Sequence, residues 1–243
     1  MYEELTQSLK TLRLGGMALA MPTRYQEAKA NEIDYIDFLQ NLIQDELLKR
    51  QDNLLSRRIK IARFPEMKVL DDFNWAFNTT IKKRDIMELA TSRFIHDSKN
   101  ALFIGPPGVG KSHLAISLGF CAIHNGLTVL YKSAFDLVTE LADSFRMDTR
   151  KKYIQNLTRQ DLLIIDEFGM KTMPTNAADD VMEIIHRRYN QSSTIIATNR
   201  PLEDWGKILG DNAATSAILD RFLDQAKIIN IKGKSFRMNR KKN

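Results

Sequence analysis

Gly105-Pro106-Pro107-Gly108-Val109-Gly110-Lys111-Ser112 follows the phosphate-binding pattern GxxxxGK[ST] and limits what this chain can fold into more than any other feature. A triphosphate needs backbone N–H groups aimed at it from a tight concave loop, which glycines allow without steric cost. Lys111 is the residue for the β and γ oxygens, and the Ser112 hydroxyl is the ligand for Mg²⁺. Apolar Ala101-Leu102-Phe103-Ile104 before the loop reads as a buried strand, and His113 to Leu118 after it as a helix whose N-terminus faces the phosphates. ATP and Mg²⁺ are therefore the expected cofactors.

Beyond this loop, strand and helix alternate. Strands are expected at about 101–105, 128–132, 161–166, 194–198 and 226–231, with helices at about 111–125, 134–158, 176–190 and 213–223. That alternation implies an α/β fold with a parallel sheet covered on both faces. The first third reads as helical: Leu5, Leu9 and Leu12, then Phe38, Leu42, Leu47, Leu54 and Ile59 recur at helical spacing, with Asp34 as N-cap of the second run. Gly15-Gly16 and Pro22 are expected to break the earlier helix. Periodicity fails from Phe64 to Thr80, where Phe64, Phe73, Trp75 and Phe77 suggest an extended linker laid against the core. The expected division is a helical N-terminal DNA-binding and assembly domain at 1–63, a linker at 64–80 and an ATPase domain at 81–243.

The net charge is +6, unevenly placed. Lys49, Arg50, Arg57, Arg58, Lys60, Arg63 and Lys68 face only Asp52 and Glu66 in their stretch, and the tail from Lys232 to Lys242 has six basic residues and no acidic one. Beside a nucleotide-binding loop, such clusters point to nucleic-acid phosphates, with Arg57, Arg58 and Lys60 as candidate contacts. A single cysteine, Cys121, rules out a disulfide framework. With an acidic start and no long apolar stretch, a cytoplasmic protein without membrane partners is expected.

Leu162-Leu163-Ile164-Ile165-Asp166-Glu167 is an apolar strand ending in two carboxylates. Asp166 is placed to hold the Mg²⁺ shell through water and Glu167 to polarise the attacking water. Neighbours on a strand point opposite ways, so both reach one site only if the strand ends at Asp166. Asn199, closing the Thr194–Thr198 strand, is a candidate sensor of the γ-phosphate, and Arg221 in Asp220-Arg221-Phe222 a candidate arginine finger acting on a neighbouring subunit. The finger implies a homo-oligomer with ATP at subunit interfaces.

Taken together, the phosphate loop, Asp166-Glu167, Thr198-Asn199, Asp220-Arg221 and Gly233-Lys234-Ser235-Phe236-Arg237 resemble the AAA+ ATPases of the initiator and helicase-loader clade. Within that clade the chain is most similar to the IstB-like family, ATP-dependent helpers of insertion-sequence transposition. The similarity continues through Leu14-Gly15-Gly16-Met17-Ala18, Asp45-Glu46, Arg57-Arg58, Ala62-Arg63-Phe64, Leu70-Asp71-Asp72-Phe73 and Asp204-Trp205-Gly206. It implies an AAA+ core with sheet order 5-1-4-3-2 behind a small all-helical domain, nucleotide-dependent assembly on duplex DNA with little sequence preference, and an IstA-like transposase as partner. By position, Lys111 and Ser112 are Walker A residues, Asp166 and Glu167 Walker B, Asn199 the first sensor, Arg221 the finger, and Arg237 resembles the second sensor. A full helical lid is not expected after residue 231. The clade also implies an extra helix between the second and third strands, here Thr139 to Arg159, with Arg150, Lys151, Lys152 and Arg159 as DNA-facing charges. Rival readings are a DnaC/DnaI-type helicase loader, a small-molecule P-loop kinase and a nucleotide-gated scaffold.

Overall fold

The computed structural model describes residues 2–170, 175–206 and 213–240. The chain forms two compact units, Met1–Arg57 and Arg58–Asn243. The first holds α1 (Tyr2–Thr11), α2 (Gly15–Asn31) and most of α3 (Tyr35–Ala62). Leu9, Met17, Ala18, Met21 and Leu42 make its core, with Leu14, Ala20 and Phe38 packed against them.

Two local expectations fail in this unit. Gly15-Gly16 starts a helix instead of breaking one, and α2 runs through Pro22. Proline deprives the helix of one backbone bond, at a cost of about 3 kcal/mol. Pro22 directly follows Met21, which is buried with Met17 and Ala18 one turn earlier, so burial of that turn offsets the lost bond. The helix start is secured from α3: Glu46 Oε2 accepts the Gly16 and Met17 N–H groups at 2.6 and 3.1 Å. Arg24 also grips Asp45 with Nε and Nη2 at 2.7 and 2.9 Å. Gly16 is needed there, because a β-carbon would lie 2.7 Å from Glu46 Cα.

The second unit is built on five parallel strands: β1 (Asn100–Ile104), β2 (Val129–Ser133), β3 (Leu162–Phe168), β4 (Ser193–Thr198) and β5 (Ala226–Asn230). Their order, β2-β3-β4-β1-β5, is the expected 5-1-4-3-2 read from the other edge. Side chains alternate across the sheet. A β-carbon on Gly119 of α6 (Lys111–His124) would lie 2.8 Å from Ile164 Cδ1, so α6 covers the Ile164 face. Leu163 and Ile165, pointing the other way, share a core with α7 (Ala134–Arg146), α8 (Arg150–Arg159) and α9 (Thr175–Arg188). Trp205 is fully buried in that core, its ring 4.7 Å from that of Phe168.

The helices expected over 134–158 are α7 and α8, which part where the chain turns with Asp148 in the left-handed region at φ 53°. Two differences bear on the site. Residues 64–80 are folded, with a 3₁₀ turn at Leu70–Asp72, and do not form an extended strap. Finally, β3 does not end at Asp166 but continues to Phe168 through an irregularity between Ile165 and Phe168.

Candidate nucleotide site

The phosphate loop joins the C-terminal end of β1 to the first turn of α6, where helix geometry leaves the leading N–H groups without intrahelical partners. Gly110, the residue preceding α6, has φ 109°, and no side-chain cap bonds these amides. A β-carbon at Gly110 would also come within 2.7 Å of the Phe73 ring. The loop therefore presents a partial positive charge through a backbone that only glycine adopts easily.

Lys111 is nearly buried, and its ammonium donates to the Gly105 and Pro106 carbonyls at 2.8 and 2.9 Å. Burial pushes its pKa below the usual lysine range; Asp166 opposes that shift and Arg237 adds to it. These three side chains thus share one electrostatic environment. A pocket of about 390 Å³ opens against the loop, lined by Gly108 to His113 on one side and by Lys68, Phe73, Phe77, Asn78, Phe236 and Arg237 on others. Its size is within the range of small-molecule sites.

Two segments outside the motif build this pocket. Residues 64–80 reach it through His113, whose Nε2 lies 2.9 Å from the Val69 carbonyl and whose ring is 5.1 Å from Phe73. The C-terminal segment reaches it through the Phe236 N–H, which donates to the Gly108 carbonyl at 2.9 Å, and through Phe236 itself, edge-on to Phe77 at 5.0 Å. The short helix Phe236–Arg240 therefore brings Arg237 to the pocket.

At the neighbouring strand end the two acids are arranged by a bulge. Ile165 pairs with Ile196 and Phe168 with Thr198, so Asp166 and Glu167 together stand opposite Ala197 alone. Glu167 takes up the extra residue in the left-handed region at φ 57°. Asp166 stays buried, whereas Glu167 is exposed, and its N–H donates to Asp166 Oδ1 at 2.8 Å. Alternation is thus interrupted by a kink inside the strand and not by the strand's end. Tyr131, which no sequence signal singled out, donates its hydroxyl to Asp166 Oδ2 at 3.0 Å. Asn199 follows β4, where the Thr198 carbonyl accepts the Gly105 N–H at 3.2 Å, and its Oδ1 is buried without a partner among the described residues.

The uncapped helix terminus, the Lys111 ammonium and the Ser112 hydroxyl, which share one pocket, fit a Mg²⁺-bound triphosphate, and Asp166 acts on the Lys111 charge from nearby; Asp166, Glu167 and Asn199 are not among the residues lining that pocket. Arg221 stands apart from them. It lines a cleft with Asn100 and Thr194, which lie at the start of β1 and β4, while Gly105 and Asn199 follow the ends of those strands. At about 3.3 Å per residue, β1 alone separates the two edges by roughly 13 Å. There Arg221 Nη1 is 3.4 Å from His186 Nδ1, and the guanidinium lies 5.9 Å from the Tyr189 ring centre.

This architecture can be set beside known proteins. A family model described as IstB-like ATP binding protein matches residues 7–243. The chain belongs to the IstB-like family. It is 34% identical over 242 residues to the ATP-binding protein of insertion sequence IS5376 from Geobacillus stearothermophilus, covering 100% of this chain and 96% of that protein. The ATP-binding protein of insertion sequence IS21 from Pseudomonas aeruginosa is also 34% identical, covering 98% of this chain and 90% of its own length. Among solved structures, the DnaC helicase loader superposes with a TM-score of 0.54 at 21% identity, covering 72% of this chain and 99% of its own. DnaI gives 0.58 at 19%, over 71% and 93%. These two likenesses show a shared fold, and this member of the IstB-like family is an ATP-binding protein of the insertion-sequence type.

The DNA candidates of this IstB-like chain do not behave alike. Arg57 and Lys60 are exposed on α3 and Arg58 is half-buried; Lys151 and Lys152 are exposed on α8. Arg150 differs from them in being paired within the protein: its guanidinium is held by Asp180, with Nε at 3.0 Å from Oδ1, and by Glu183, both on α9. Among the described residues, no helix is long and apolar enough to cross a membrane.

Proposed function

We propose that this IstB-like protein is a cytoplasmic, ATP-hydrolysing DNA-binding protein that assembles on duplex DNA, remodels it and delivers it to the transposase of its insertion sequence. The observation that carries the catalytic part is the β3 bulge, which leaves Asp166 buried near Lys111 while Glu167 is exposed at the same strand end.

In this reading the amides of Gly108 to Ser112 bind phosphate oxygens, and Lys111 exchanges its two carbonyl contacts for the β and γ oxygens. Ser112 and, through water, Asp166 would hold Mg²⁺. The ion supplies positive charge against the β and γ oxygens. Glu167 orients the attacking water and accepts its proton, and Asn199 donates through its amide to the γ-phosphate or that water. Arg237 lies against the phosphates from the C-terminal segment. Arg221, on the far edge of its own sheet, acts on the site of a neighbouring copy. Residues 1–63 serve DNA binding and assembly, residues 64–80 help enclose the nucleotide, and Arg57, Arg58, Lys60, Lys151 and Lys152 contact backbone phosphates with little base preference.

The test is complementation between two inactive variants. Arg221→Ala should bind ATP as the wild type does and fail to hydrolyse it, and Glu167→Gln should behave likewise. Mixing them restores turnover, because some interfaces then pair an intact finger with an intact base. Turnover by dilute monomeric Arg221→Ala at the wild-type rate would exclude a shared site, and an inactive mixture of the two variants would count against it.

A further inference from the structure

Tyr131 lies on β2, opposite Ile164 of β3, and donates to the carboxylate proposed to carry the metal shell. Asp166 is only 3% exposed. Its Oδ1 accepts the Glu167 N–H and its Oδ2 the Tyr131 hydroxyl, so both oxygens are fixed by the protein. A carboxylate has about four acceptor positions, and two stay free for metal-bound water. With both oxygens tied, the plane of the carboxylate cannot rotate freely, and those free positions point in set directions.

The phenol is itself braced. Phe64, two residues past the end of α3, lies edge-on to the Tyr131 ring at 6.3 Å and tilted against Phe120 at 4.6 Å. Phe64 also fills the space beside Gly119, where a β-carbon would lie 2.8 Å from its ring. A phenylalanine would make the same ring contacts, so the hydroxyl serves the carboxylate and not the packing.

We infer that Tyr131, braced by Phe64, is a positioning residue that orients Asp166 for the Mg²⁺ shell and thereby sets the Mg²⁺ concentration at which nucleotide is held tightly. This rests on the Mg²⁺–ATP reading above. Loss of such a supporting hydrogen bond costs about 10- to 100-fold in metal affinity where it has been removed from metal sites.

The experiment titrates Mg²⁺ into full-length wild type and Tyr131→Phe in the presence of a fluorescent non-hydrolysable ATP analogue, reading analogue binding, with Mn²⁺ binding by electron paramagnetic resonance in parallel. The midpoint for Tyr131→Phe should move up about tenfold, while analogue affinity in EDTA stays at the wild-type value. Phe64→Leu should move the midpoint in the same direction by less. Coincident wild-type and Tyr131→Phe midpoints would overturn the role of Tyr131 while leaving the Mg²⁺–ATP reading in place. A wild type whose analogue binding ignores Mg²⁺ altogether would overturn that reading and this inference with it.

Discussion

Helices α2 and α6 both begin beside glycine, yet their exposed amides meet different fates. At α2 the chain supplies its own anion: Glu46 accepts the Gly16 and Met17 N–H groups while Arg50 holds its other oxygen at 2.7 Å. At α6 no side chain among the described residues caps the terminus, and its first residue, Lys111, feels Asp166 and, less, Arg237. The electrostatics of a helix start are the same in both places. What differs is whether the anion is built in, which makes a structural clamp, or left to come from solution, which makes a binding site.

The comparison breaks most sharply at the chemistry that only α6 supports. Glu167→Gln should lower ATP turnover by at least about 100-fold, the ordinary weight of a general base, with ATP binding kept; steady-state hydrolysis and equilibrium binding measured together check it. Lys111→Ala should weaken ATP binding about 10- to 100-fold, the weight of a charge-assisted hydrogen bond, and leave melting without nucleotide nearly unchanged. Glu46→Ala should do the reverse. It strands two amides and Arg50, so calorimetry should show the first unit destabilised by about 2 kcal/mol, with ATP affinity as in wild type.

A smaller effect sharpens the same contrast through pH. Burial favours the protonated form of Glu46, but Arg50 and the Met17 and Gly16 N–H groups outweigh it and hold the carboxyl below its usual range. Its stabilisation is therefore present above the ordinary glutamate pKa and lost as pH falls through the depressed one. Thermal melts of wild type and Glu46→Ala should converge below that point and separate above it. Neutralising Arg57, Arg58 and Lys60 should flatten the slope of log DNA affinity against log salt by roughly 0.9 for each backbone phosphate left without its cation, with DNA-free ATPase activity unchanged.

The same pair of helices shows what could be read in advance. The α6 site was legible because its residues are consecutive: eight positions carry glycine, lysine and hydroxyl in one order. Sheet order and most strands followed from alternation and from the resemblance. The α2 clamp was visible only as separate strings, Gly15-Gly16 and Asp45-Glu46, whose meeting depends on how two helices pack. The β3 bulge was hidden because alternation assumes equal residue counts on paired strands, and one extra residue at Glu167 reverses the inference. Tyr131 and the aromatic pair Phe77 and Phe236 were missed for the same reason as the clamp: each acts on a partner more than thirty residues away. Arg150 looked like a free charge until α9 brought Asp180 and Glu183 against it.

The central claim is that the amides at the start of α6 are reserved for a phosphate, whereas those of α2 are already satisfied. Hydrogen–deuterium exchange with and without Mg²⁺ and a non-hydrolysable ATP analogue tests it at both helices in one sample. The account predicts strong nucleotide-dependent protection across Gly108 to Ser112 and none at Gly16 and Met17. Saturating nucleotide binding with unchanged exchange across Gly108 to Ser112 would contradict it.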